Sequence, residues 1–189
     1  MPHPHSTRSR TIARTAGTLA ALGLLAPAIT VQATAAPAGD GLVINEAYTN
    51  GGSANAKFTH KFVELYNPTD KPISLDGWSL QYRSATGTGG ASSSVALNGT
   101  VPAKGHFLIR GGSNGDTGAA LPAPDLEAGG LNFSGTKGTI VLSNQAERLA
   151  ELPTGSVVSE DDTVVDLLGY GSSNTFEAAA GTAPSTNSE

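Results

Sequence analysis

The sequence predicts an all-β domain, a sandwich or a barrel, on three observations. Apolar and polar residues alternate at a period of two in several short stretches. Turn-forming residues interrupt those stretches about every ten positions. Glycine is abundant, at 24 of 189 residues, whereas charged residues make up only 14%. No repeat of fixed period and no heptad pattern competes with that reading.

The elements follow in order. Leu42 to Tyr48 reads as a first strand and Thr49 to Ser53 as a loop. In His60 to Asn67, Val63 and Leu65 share one face and Glu64 and Tyr66 the other, and Asn67-Pro68-Thr69-Asp70 stops the strand with turn chemistry. Ile73 to Leu75 leads through Asp76-Gly77, suited to a bend or bulge, into Trp78-Ser79-Leu80-Gln81-Tyr82. Trp78, the single tryptophan, is expected mid-strand, its ring filling the space between two sheets. A Gly/Ser/Thr-rich loop, Thr86 to Ser94, precedes a short strand at Val95 to Leu97. His106 to Arg110 follows the turn Val101 to Gly105, and Gly111 to Gly130 reads as a long surface excursion. Gly138 to Leu142 and Val164 to Gly171 are the last strands, separated by a polar connection at Asn144 to Pro153. Beyond Ser172 the periodicity disappears.

The N-terminal stretch has a different character. Arg8, Arg10 and Arg14 precede an apolar run, Ala16 to Ile29, that ends in small residues at Ala33 to Ala36. This is the pattern of a cleaved secretory signal. Pro27 interrupts the run, which is shorter than the roughly 20 apolar residues of a spanning helix. We therefore expect export to the extracellular space, with residues 1–36 as signal, 37–41 as linker, 42–175 as the sandwich and 176–189 as a flexible tail. The signal holds three arginines and no acid, so the remainder carries eight bases against sixteen acids, a net of −8. Such a charge opposes contact with phosphate backbones, and the one basic cluster is Lys57, His60 and Lys61. The absence of cysteine excludes disulfides, thiol nucleophiles and Cys-based zinc sites, and makes stability depend on burial.

Six segments in this order carry a resemblance. They are Leu42-Val43-Ile44-Asn45-Glu46, Phe62-Val63-Glu64-Leu65-Tyr66-Asn67-Pro68, Leu75-Asp76-Gly77-Trp78-Ser79-Leu80, Gly105-His106-Phe107-Leu108-Ile109, Gly138-Thr139-Ile140-Val141-Leu142 and Val165-Asp166-Leu167-Leu168-Gly169-Tyr170-Gly171. Together, over residues 40 to 180, the chain resembles the lamin tail domain in the version found in bacterial extracellular proteins. The resemblance implies an immunoglobulin-like β-sandwich of about seven strands and an accessory, non-catalytic role. It also implies an association, in longer relatives, with a metal-dependent endonuclease/exonuclease/phosphatase domain that follows the module.

The residues themselves offer little chemistry. After the signal only His60 and His106 remain, with no H-x-H or H-E-x-x-H spacing, so neither is expected to hold a metal. Glu46 and Glu64 are expected as neighbours across the first two strands. They would form a cation site or acid–base pair, or, the favoured reading, either both would be solvent-facing strand positions or one would pair with Lys61 or Arg110. Ser113 to Gly118, with Asp125 and Glu127 nearby, has calcium-loop residue types without the spacing of an EF-hand, and reads as a turn. Glu160-Asp161-Asp162 reads as a solvated charge run, and Tyr48, Tyr66, Tyr82 and Tyr170 as half-buried strand residues rather than a sugar platform. No G-x-S-x-G elbow or phosphate-binding loop is present. We expect no catalytic residue, cofactor or metal, and a monomer that partners an unknown protein or cell-envelope component. The alternatives are the accessory portion of a secreted nuclease or phosphatase, and a carbohydrate- or envelope-binding module.

Overall fold

The computed structural model describes residues 41–156, 163–177 and 180–181. The expected signal at 1–36 and the Glu160–Asp162 run lie outside them. Among the described residues there is no helix and there are twelve strands. Seven match the expected ones: β1 (Val43–Tyr48), β2 (Phe62–Tyr66), β4 (Ser79–Arg83), β5 (Ser93–Ala96), β7 (His106–Arg110), β9 (Gly138–Ser143) and β11 (Val164–Tyr170). The other five are two-residue pieces: β3 (Ile73–Ser74), β6 (Thr100–Val101), β8 (Leu126–Glu127), β10 (Gly155–Ser156) and β12 (Thr175–Phe176). Pieces this short show no alternation, so periodicity had no purchase on them.

Two four-stranded sheets form, one ordered β1-β2-β7-β8 and the other β11-β9-β4-β5. Pairing within them is antiparallel except for β7 with β8. Val63, Leu65, Phe107 and Ile109 of the first sheet meet Leu80, Tyr82, Ile140, Leu142 and Tyr170 of the second in one core, closed by Leu131 and Phe133 from the connection between β8 and β9. Alternation therefore yields a sandwich, as expected from the period of two.

Trp78 departs from its expected place. It lies one residue ahead of β4 and is half-buried, packed against the rim of the core, while its amide donates to Leu75 O at 3.0 Å. Gly77 adopts φ of +82°, so the chain turns at Asp76-Gly77 and enters β4 only after the indole has passed. Phe107, Phe133 and Tyr82 fill the interior instead.

Turn chemistry at the end of β2 is more extensive than a strand stop. Asn67 is fully buried, and its Nδ2 donates to the carbonyls of Lys71 (2.8 Å), Val101 (3.2 Å) and Pro102 (3.0 Å). Its Oδ1 accepts from the Thr69 amide at 3.0 Å and the Thr69 hydroxyl at 2.8 Å. One amide thus fixes both its own turn and the β6–β7 connection. Asn67→Ala leaves the buried Val101 carbonyl without this donor and unties the turn at Thr69–Lys71, and we expect a loss of about 3 kcal/mol, read as a lower urea midpoint followed by Trp78 fluorescence.

The second sheet is covered on its outer face as well. The 144–153 connection lies across it, and Leu149 and Leu152 join Val141, Val164 and Leu167 in a second apolar cluster. A polar row on β4 anchors that cover. Ser79 Oγ donates to Gln145 O at 2.5 Å, Gln81 Nε2 donates to Glu147 O at 3.0 Å, and Gln81 Oε1 accepts from the Leu149 amide at 2.9 Å. Arg83 completes the row. Backbone pairing also continues beyond residue 175, where the sequence suggested a tail, because β12 runs parallel to β10 and Gly181 bridges Tyr170.

Candidate functional site

The groups singled out from sequence gather on the outer face of the β1-β2-β7-β8 sheet. Glu46 and Glu64 are directly opposed across β1 and β2, as expected. Glu64 lies opposite Leu108 of β7, and Tyr66 opposite His106. The Glu64 carboxylate accepts from Asn45 Nδ2 at 2.7 Å and meets His106 Nδ1 at 2.8 Å. The His106 ring also lies against Tyr66, with centroids 4.8 Å apart. Glu64 is therefore paired, although with His106 rather than with Lys61 or Arg110. Arg110 is bound instead to Glu127, Nε to Oε2 at 2.6 Å. Each charge on this face except Glu46 has a cross-strand mate of opposite sign or a hydrogen-bond donor, the arrangement that suits an exposed antiparallel face.

His60 cannot join this group. It sits two residues ahead of β2, six positions from Tyr66, which is about 20 Å along a strand from His106 at 3.3 Å per residue. Among the described residues, no three His, Asp or Glu side chains come together as a metal site would require. The oxygen-rich loop at 113–118 is similarly engaged. Ser113 Oγ donates to Thr59 O at 2.5 Å, Asn114 Nδ2 donates to Ser53 Oγ at 2.8 Å, and Gly118 O accepts from Thr59 Oγ1 at 3.1 Å. Asp125 caps the Leu108 amide at 2.8 Å. These oxygens knit the loop to the 50–60 connection and to β7 and do not converge on one point.

Tyrosines supply no platform. Tyr48, Tyr82 and Tyr170 are buried, and only Tyr66 is partly open. Tyr48 stacks on Phe62 at 5.5 Å and meets Phe58 edge-on at 5.7 Å, while the Tyr82 and Tyr170 hydroxyls donate to Lys137 O and Ser134 O. The rings fill the sandwich and its ends, and among the described residues no flat aromatic strip of the kind a sugar ring stacks on is formed.

Three buried charged residues escaped the sequence reading. Lys61, expected in a basic surface cluster, is 2% exposed; its ammonium donates to Asn132 Oδ1 at 2.6 Å and to Phe133 O. Burial lowers its pKa, and the basic cluster does not form a surface patch. Arg83 is 1% exposed and, among the described residues, has no carboxylate partner. Its guanidinium donates to the carbonyls of Gly89, Leu152 and Pro153, and to the side chains of Asn174 and Thr175. Asp166 is the third, on the side of β11 that faces the other sheet.

Asp166 joins the two sheets at their open edge. β1 and β11 are each the outermost strand of their sheet, and each has a break in register here, around Asn45 and around Val165. Asp166 Oδ2 accepts from the Ile44 amide at 2.6 Å and Oδ1 from the Leu167 amide at 2.9 Å. Burial pushes its carboxyl up to about 6 against the pull of the Ile44 amide, and nearby Glu177 adds to the rise. The folded state thus holds this proton more tightly than the unfolded chain. Stability from this group is therefore greatest below pH ~4 and declines as pH rises to about 6, by up to about 3 kcal/mol. Asp166→Asn should remove that decline, measured as the difference between urea midpoints at pH 4.5 and pH 7.

The polar residues of this chain thus tie strands and connections together, and the strands stand in the order described above. A family match accords with that framework: the Lamin Tail Domain family matches residues 35–172. The chain belongs to the lamin tail domain family. The match takes in β1 through β11 and hence both sheets of the sandwich. No curated protein matches the chain. Membership supports a binding or accessory module in general terms.

Proposed function

We propose that this lamin tail domain is exported and works outside the cell as a non-catalytic binding or spacer module, its partner a protein or a component of the cell envelope. One observation carries the reading. The groups that chemistry would recruit, Glu64, His106, Arg83, Lys61, Asp125 and Asp166, are each engaged in holding strands or connections together. The signal-like N-terminal sequence supports export. The net charge of −8 expected after its removal favours a partner other than nucleic acid.

The full-length chain made in a bacterial host tests the export half. It should be recovered outside the cytosol with a new N-terminus within a few residues of Ala36. Recovery from the cytosol with residues 1–36 attached would overturn it. Saturable co-sedimentation with isolated envelopes supports a binding role there, and a chain that stays wholly in the supernatant removes the envelope from the account. The accessory-to-a-nuclease reading differs only in what accompanies the module, so it too predicts no cleavage by this chain alone.

A further inference from the structure

The β11 edge is not bare. β11 is the outermost strand of its sheet, and an outermost strand presents unpaired backbone groups that another chain can pair with. Here part of that edge is taken by the chain's own C-terminal region. The Gly181 amide donates to Gly169 O at 2.7 Å, and Gly181 O accepts from the Gly171 amide at 2.9 Å. The pairing is parallel, with Gly181 opposite Tyr170.

The seat is built by the residues just before it. The chain turns after Tyr170, where the Ser173 amide donates to Tyr170 O at 3.2 Å, and returns as β12 across Gly169. Arg83 fixes that return through Asn174 and Thr175. The Gly169–Gly171 edge is therefore held in shape independently of whatever pairs with it. The occupant is recognised through its backbone, since a Cβ at Gly181 would find its nearest neighbours at ordinary contact distances, Gly169 O at 3.4 Å and Leu168 Cδ1 at 3.8 Å. Among the described residues, these two backbone bonds hold the occupant, and Ala180 and Gly181 bring no large side chain to the edge.

We propose that the Gly169–Gly171 edge of β11 is a strand-acceptor site, filled here by the chain's own residues 180–181, which the same segment of a second copy occupies when its own segment leaves. A pre-shaped edge held to its occupant by two backbone bonds permits that exchange, and the matching segment of a second copy brings the right direction and register without new contacts. The mode of contact is addition of a strand to an exposed edge, in which main-chain bonds supply the affinity.

The test uses the full-length chain and its Gly181→Pro variant, which loses the donor to Gly169 O. A fluorescent peptide of residues 177–189 serves as the second copy's segment. In the variant the Gly171 amide should exchange with solvent at least tenfold faster. The peptide should bind the variant saturably and bind the unaltered chain at least tenfold more weakly, because the chain's own segment competes. A peptide carrying the same proline should not bind. A Gly171 amide that exchanges no faster overturns the edge pairing. A freed edge that takes up no peptide, or takes up the proline peptide equally well, overturns the acceptor site.

Discussion

Arg83→Met should lower the stability of this domain by about 4 kcal/mol, among the largest effects of any single substitution that leaves volume nearly unchanged. The reason lies in what the guanidinium serves. Three carbonyls, at Gly89, Leu152 and Pro153, and two side chains, at Asn174 and Thr175, converge on one planar group. These acceptors belong to three separate stretches: the loop after β4, the cover over the second sheet, and the C-terminal return. Methionine fills the space but leaves the buried Leu152 carbonyl without this donor and takes one donor from each of the Gly89 and Pro153 carbonyls, Pro153 O keeping the Thr175 hydroxyl at 2.6 Å. Lysine keeps the charge but offers its donors from one point, so it cannot span a fork-shaped set of acceptors, and Arg83→Lys should recover little of the loss. Urea unfolding followed by Trp78 fluorescence reads both variants. A methionine variant within about 1 kcal/mol of the unaltered chain would mean that the acceptors are satisfied without Arg83.

Gly169→Ala is the second large effect, expected at about 3 kcal/mol or more. A Cβ at this position would stand 2.1 Å from Thr175 O and 2.9 Å from Phe176 Cα, both backbone atoms of β12. Relief therefore requires the whole return strand to move away from β11, and not a side chain to rotate. That movement pulls Thr175 from Arg83, so the two substitutions should not be additive: Gly169→Ala should cost distinctly less in an Arg83→Met background. Strict additivity in the double-mutant cycle would show that the return strand and the guanidinium act separately.

How far the sequence led can be judged from particular residues. Strands are legible where one set of alternate residues faces the core: Val63 and Leu65 alternate with Glu64 and Tyr66, whereas Phe107 and Ile109 flank apolar Leu108, so that strand reads as covered on both faces. Adjacency of Glu46 and Glu64 follows from pairing the first two strands, but their direct opposition rests on the bulge at Asn45, without which Glu46 would share the face of Ile44 and Leu65. Trp78 was misplaced because an Asp-Gly bend does not announce where the strand after it begins. Charge alone places Lys61 on the surface, and nothing local signals that Asn132 and Phe133, some seventy residues away, accept its ammonium. Asp166 depends on two strand edges far apart in sequence and on a bulge in each. The row Ser79, Gln81, Arg83 carries no sequence signal of its role. From sequence those three hydrogen-bonding residues at a period of two read as a solvent-facing strand face; only the 144–153 cover, far along the chain, turns it into a buried anchor.

We propose that the polar groups of this lamin tail domain serve its architecture and perform no bond cleavage. Nicking of supercoiled plasmid by the purified full-length chain, with magnesium, manganese or calcium supplied in turn, tests it most directly. The account predicts no cleavage above the buffer control with any of the three ions, for the unaltered chain and for Glu46→Ala and Glu64→Ala alike. Cleavage that co-purifies with the chain and disappears in either glutamate variant would contradict it, and would make the opposed carboxylates of β1 and β2 metal ligands.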